Sequence, residues 1–159
     1  MPDTFTIQKA KAEEVLEITH LVAELLMEIM QVSGIAAFTF DPQKMTTQLG
    51  AFMEAEKYHV FLARSTQHQC IGVITLYEGF ALYAEGAFGT IAELYVQPGY
   101  RSQAVGQRLI EQAEAFGRTR GWRRLEVTTP PLPEFQKTLA FYEQAGFAVT
   151  GGRKLKILL

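Results

Sequence analysis

The sequence predicts an α/β chain of the α+β kind: a mixed, mostly antiparallel sheet of about seven strands flanked by about four helices. Three observations predict it. The 159 residues fit one domain, 1–159, and no linker, repeat or low-complexity run divides them. Hydrophobic residues at 48% and charged residues at 20% supply a core and exclude disorder. The spacing of apolar residues switches repeatedly between helical and strand periods.

Thr4 to Lys9 alternates Phe5 and Ile7 with polar residues and reads as a strand. From Glu13, the apolar residues Val15, Ile18, Val22, Leu25 and Ile29 recur every three or four positions, a helix with one buried stripe that Gly34 ends. An aromatic loop, Ile35 to Phe40, follows. Asp41-Pro42 then opens a second helix as N-cap and first helical residue, fading near Glu56. Tyr58 to Arg64 and Cys70 to Tyr77 read as strands joined by a turn at Gln67-His68-Gln69; the second is apolar on both faces, as a central strand is. Gly79 to Gly89 reads as aromatic and irregular, and Thr90 to Val96 as a strand stopped by Pro98-Gly99. Val105, Leu109, Ala113 and Phe116 share one face of a helix that ends at Gly121. Leu125, Val127 and Thr129 alternate as a strand, Glu134 to Ala145 forms the last helix, and the tail, Phe147 to Leu159, reads as a hairpin.

Several function classes fall away on composition. A lone cysteine, Cys70, excludes an intrachain disulfide and a multi-cysteine metal site. His20, His59 and His68 have no ligand spacing, so no metal is expected. A net charge of −2 argues against a general nucleic-acid binder. No apolar stretch reaches the ~18 residues of a membrane span, and no signal peptide is read at the N-terminus, so a cytoplasmic protein is expected. Charge is unevenly spread. Residues 1–100 carry five Lys/Arg against twelve Asp/Glu, and residues 101–159 carry ten against five. That split suits an anionic ligand on the C-terminal half and a cationic one on the N-terminal half, or simply solvated helix faces.

The most informative segment runs from Glu93 to Ile110. A strand ends in a tight turn, small residues follow, and a helix begins. The first amides of a helix lack helical partners and carry the positive end of its dipole, which suits a phosphate. Ala104 and Gly106 allow close backbone approach. There is no Gly-Lys-Ser/Thr of a Walker loop and no dinucleotide glycine pattern.

This segment resembles the GNAT superfamily of acyl-CoA-dependent N-acetyltransferases. Their pyrophosphate loop, Gln/Arg-x-x-Gly-x-Gly/Ala, is matched by Arg101-Ser102-Gln103-Ala104-Val105-Gly106 after Leu94-Tyr95-Val96 and Pro98. A second block, an Ala-x-x-Phe-Tyr-type helix closing on Gly-Phe, is matched by Ala140-Phe141-Tyr142-Glu143-Gln144-Ala145-Gly146-Phe147. Ala104 and Ser102 stand where the family commonly has glycine. Phe135 and Thr138 replace a common Asn and Ala.

The resemblance implies a GNAT-like sheet and acetyl-CoA as co-substrate, with an amine acceptor as the other partner; a homodimer is left open. Arg101, Ser102, Gln103, Ala104, Val105, Gly106 and Gln107 would hold the pyrophosphate. Leu94, Tyr95 and Val96 would pair with the acyl-pantetheine arm where their strand splays from Arg123 to Thr129, and an N–H near Leu94 or Tyr95 would polarise the thioester carbonyl. Tyr142 would protonate the departing thiolate. A phenol with pKa near 10 can do so, since the thiol's pKa is about 8.5. Glu93, set in the apolar run Ile91 to Val96, is the candidate base, with Glu85 a second choice. Phe38, Phe40, Phe80, Tyr83 and Phe88 either frame an acceptor pocket or cover the core. The expected reaction is acetyl transfer to a primary amine of a small molecule or peptide by direct attack on the thioester. The alternative is a non-catalytic acyl-CoA-binding module on the same fold.

Overall fold

A computed structural model describes residues 4–159. The chain divides into two compact units, 1–128 and 129–159.

The first unit holds a single five-stranded sheet in the order β1-β2-β3-β4-β5. The strands are β1 (Phe5–Lys9), β2 (His59–Ser65), β3 (Cys70–Ala81), β4 (Gly86–Val96) and β5 (Leu125–Val127). Neighbours are antiparallel except β4 and β5, which run parallel and make the sheet mixed. Between β1 and β2 lie α1 (Val15–Ser33) and α2 (Pro42–Glu54); α3 (Val105–Arg120) links β4 to β5.

Local chemistry sets the helix limits. Asp41 caps α2 by accepting from the Gln43 N–H at 2.9 Å, with Pro42 as the first helical residue. Gly34 and Gly121 end α1 and α3 in the left-handed conformation, where a Cβ is penalised. The expected stripe of α1 is buried: Ile18, Leu21 and Val22 pack with Leu49 of α2 on Val60, Leu62, Val73 and Tyr95. Strand alternation sends Phe61, Gly72 and Ile74 to the opposite face, where α3 lies. A Cβ on Gly72 would stand 3.2 Å from Val105 and 3.3 Å from Leu109, so this glycine lets the first turns of α3 sit close on β3.

The sheet has five strands, where the sequence suggests about seven. The missing pair is the tail hairpin: the second unit contains α4 (Gln136–Gln144) and no strand. Leu155 and Ile157 alternate with Lys154 and Lys156 but are exposed. Alternation marks a potential face, whereas a strand needs a ladder partner, and the tail makes none among the described residues. The stretch from Gly79 to Gly89 corrects the expectation in the opposite sense. It is a ladder, Gly79↔Phe88, Phe80↔Ala87 and Ala81↔Gly86, closed by a 3₁₀ turn at Leu82–Ala84. Phe80 and Tyr83 are largely exposed, so no buried face gave the segment a strand period. The Phe88 ring instead covers Gly79 from the partner strand.

Candidate active site

β4 supplies the centre of the site. Its register against β3 passes from Thr75↔Glu93 to Leu76↔Ile91, so Ala92 is an extra residue with no partner. Such a bulge re-aims the side chains beside it. Glu93 is thereby set directly opposite Thr75, on the α1–α2 side of the sheet. The Thr75 hydroxyl donates to Glu93 Oε2, and Thr75 Oγ1 in turn accepts from the Glu93 N–H at 3.0 Å. The Tyr58 hydroxyl donates to Glu93 Oε1 at 3.3 Å. Tyr58 is held in turn by stacking on Tyr77, 6.4 Å between centroids, and by the tilted ring of Phe52 at 5.3 Å.

Burial pushes the Glu93 carboxyl above the ordinary carboxylate range, and the hydrogen bonds from Thr75 and Tyr58 work against that rise. Burial and the neighbouring carboxylate raise the Tyr58 phenol, so it stays a donor. Glu93 opens on a cavity of about 160 Å³ between α1, α2 and the sheet. A larger hollow of about 950 Å³, lined by α1, α2 and residues such as Gln69 and Gln97, holds none of the sequence-predicted site residues, whereas Glu93 lines the smaller one.

Beyond the bulge, the sheet opens. β5 pairs with β4 only from Gly89↔Leu125 to Ile91↔Val127, while β3 follows β4 as far as Gly72↔Val96. Leu94, Tyr95 and Val96 therefore have one strand neighbour, and the backbone groups on their other edge are unpaired within the sheet. Edges of this kind accept an extended ligand as an added strand.

The loop after β4 prepares α3. Ala104 is its N-cap, left-handed at φ 66°, and no side chain caps the helix. Arg108 N–H is the first amide bonded into the helix, to the Ala104 carbonyl at 3.0 Å. The amides of Val105, Gly106 and Gln107 precede it without helical acceptors, a cradle for an anion. Ser102 is left-handed as well, at φ 63°. The loop thus takes at Ser102 and Ala104 the conformation glycine favours. Gln103 donates to the Gly99 carbonyl at 3.4 Å. Arg101 turns back on β4: Nε donates to the Val96 carbonyl at 2.8 Å, a terminal nitrogen meets Glu28 at 2.9 Å, and the guanidinium lies 5.4 Å from the Tyr95 ring centroid. It braces the loop against β4 and α1.

Glu93, Leu94, Tyr95, Val96 and the Arg101–Gln107 loop are thus brought onto one strand and the turn that follows it. Tyr142 belongs to the second unit. There it is buried on α4, with the rings of Phe141 and Phe147 each 5.4 Å away, and burial alone raises its phenol. Glu85 is at the exposed tip of the β3–β4 hairpin, 4.0 Å from Arg123. Phe40 and Tyr83 do not line the Glu93 cavity; its aromatic residues are Phe52 and Tyr58, with Thr75 as the third contributor that the sequence did not reveal. Glu17 and Glu28, part of the acidic first half, are ion-paired with Arg64 and Arg101. The Cys70 thiol is pushed up by burial to about 11 and stays protonated at neutral pH. Among the described residues, no group of three or more His, Cys, Asp or Glu side chains could hold a metal. No helix there is long and apolar enough to cross a membrane.

Known proteins share this fold. An aminoglycoside acetyltransferase, meta-AAC0020, from an uncultured soil metagenomic sample superposes with a TM-score of 0.78 at 18% identity, covering 99% of this chain and 98% of its own. A ribosomal-protein-alanine N-acetyltransferase from Brucella melitensis biovar Abortus 2308 gives 0.75 at 17% identity, with 98% and 99% covered. At such identities the likeness is one of fold. In sequence, an IAA acetyltransferase from Azospirillum brasilense is 35% identical over 72 residues, which is 45% of this chain and 45% of that protein. Residues 20–147 match the acetyltransferase (GNAT) family. That match spans most of the chain, and on this fold it makes the protein a member of the GNAT family of acetyltransferases.

Proposed function

We propose that the protein moves the acetyl group of acetyl-CoA directly to a primary amine of a small molecule or peptide. Family membership implies the acetyl-CoA donor. One observation carries the rest: a partly buried carboxylate, Glu93, is held by two donors at the start of the half of β4 that has a single strand neighbour.

The cofactor's anionic end fits the uncapped start of α3, where the amides of Val105, Gly106 and Gln107 point outwards from the helix terminus. Its pantetheine arm would run along Leu94 to Val96, whose outer edge has no strand partner and offers main-chain hydrogen bonds beside the Val96 carbonyl that Arg101 holds. An amide there, at Leu94 or Tyr95, would polarise the thioester carbonyl.

An alkylammonium with pKa ~10.4 must lose a proton before attack, at a cost of about 4.6 kcal/mol at pH 7. Glu93 takes that proton, directly or through water. A carboxylate with a pKa raised by burial is a better acceptor than an ordinary one. The neutral amine attacks the thioester carbon, forming the C–N bond, and the C–S bond breaks as the tetrahedral adduct collapses. The second amine proton leaves with amide formation, and the departing thiolate gains one to become free CoA. We assign its donation to Tyr142, on the resemblance of the Ala140–Phe147 block.

The test is release of free CoA from acetyl-CoA with a panel of amines, alongside the Tyr142→Phe variant. Amine-dependent release is expected, with kcat of the variant down by roughly 10–1000-fold and CoA affinity nearly unchanged. CoA binding without release for any amine would instead establish the acyl-CoA-binding module.

A further inference from the structure

The cavity beside Glu93 has one charged residue and mostly apolar walls. Val22 and Leu26 of α1, Met45, Leu49 and Phe52 of α2, and Tyr58 before β2 form most of its surface. Its polar lining is largely committed. Thr19 donates to the Val15 carbonyl at 2.9 Å, and Thr75 is bonded to Glu93. Little hydrogen bonding remains for a ligand beyond Glu93 itself and Gln48.

From this we infer that the cavity takes the arm of the acceptor, and that the acceptor is a primary amine on a short aliphatic or arylalkyl group. The inference rests on the reading of Glu93 as the base, and names the substrate class for that site.

Size, polarity and charge select this class. A volume of about 160 Å³ is below the range of pockets for drug-sized ligands, so the arm is short. Each methylene moved from water onto these walls gains about fourfold in affinity. Each hydroxyl buried without a partner loses roughly tenfold. A second ammonium on the arm would meet no second carboxylate among the lining residues. The Phe52 and Tyr58 rings flank the carboxylate side of the cavity and can hold the ammonium before its proton passes to Glu93.

The experiment measures kcat/KM with acetyl-CoA, and binding by calorimetry, for n-butylamine, 2-phenylethylamine, 3-aminopropane-1,2-diol and 1,4-diaminobutane. The first two are expected to exceed the last two by about 30-fold or more in both readouts. Phe52→Asp adds a carboxylate where the ring is 38% exposed, and should lower kcat/KM for 2-phenylethylamine while raising it for 1,4-diaminobutane. Should that variant not fold, the panel on the unaltered protein still decides. Equal or better use of the diol or the diamine would overturn the cavity assignment while leaving amine acetylation standing. Selective binding of the apolar amines with no acetylation would uphold the cavity and sink the transfer reaction. Failure to bind or acetylate the apolar amines would overturn the proposal.

Discussion

β4 is two strands in one, divided at Ala92. From Gly86 to Ile91 it is paired to β3, with β5 joining it from Gly89; Ile91 is buried. From Glu93 to Val96 it has β3 alone, and every candidate residue on the strand falls there. The same chain segment thus spends its hydrogen bonds on the sheet in one half and in the other leaves its outer edge without a strand partner, only the Val96 carbonyl there being taken by Arg101. A bulge of one residue suffices for the change, because it alters which side chain opposes which without ending the strand.

Substitutions that separate the halves give the sharpest checks. Glu93→Gln should lower kcat by about 10²–10³ with a melting curve close to the parent's. An undiminished rate for acetyl transfer, measured in a single turnover, would move the base elsewhere. Ile91→Ala, two residues away, should behave oppositely: a loss of about 2–4 kcal/mol in denaturant unfolding, with the folded enzyme's kcat within about twofold of the parent. Reduced kcat without lost stability would mean that the division at Ala92 is not functional.

Thr75→Val tests the tuning of the carboxylate. On the proposed mechanism Glu93 must be ionised to act, and burial holds its pKa above the usual range, so kcat/KM should rise with pH through an acid limb that lies above that of an exposed glutamate. Thr75 lowers this pKa by donating to the ionised form. Without that bond the limb should move to higher pH, because the ionised form loses a donor. A limb that stays in place would show that another group titrates. The smallest effect belongs to the loop. Ala104→Gly should stabilise the protein by about 0.5–1 kcal/mol, because a left-handed alanine is strained and the glycine is not. Unchanged or lower stability in thermal unfolding would count against strain at the cap.

What could be read in advance follows from period and punctuation. Val15, Ile18 and Val22 recur at helical spacing, and Asp41-Pro42 and Gly121 mark ends, so α1, α2 and α3 were legible. Glu93 stood out because a carboxylate in an apolar strand run is unusual. Its partners did not, since Tyr58 and Thr75 are 35 and 18 positions away and meet it only through the β3–β4 register and the packing of Tyr58. The Gly79–Gly89 ladder was hidden because Phe80 and Tyr83 face solvent and Phe88 packs on a glycine, so no alternating buried face marks it. The tail misled for the converse reason, an alternating pattern with no ladder to join.

Trp122 has an optical consequence. It is the chain's only tryptophan, and its ring fills the space that side chains at Gly89 and Gly117 would need: a Cβ on Gly89 would fall 2.2 Å from it. Its Nε1–H donates to Glu78 at 2.6 Å, and Phe116 packs edge-on at 5.5 Å. The indole is therefore a single fluorophore wedged between the two-sided half of β4 and the C-terminal end of α3. That helix has 16 residues, a span of ~24 Å, so a ligand seated at its first turn cannot touch the indole. For a cofactor confined to that turn and to Leu94–Val96, an emission change on adding CoA would come from displacement of α3 or the strands against the wedge. The intrinsic fluorescence of the unlabelled protein thus gauges how rigidly the helix carries a signal from its cradle to its far end.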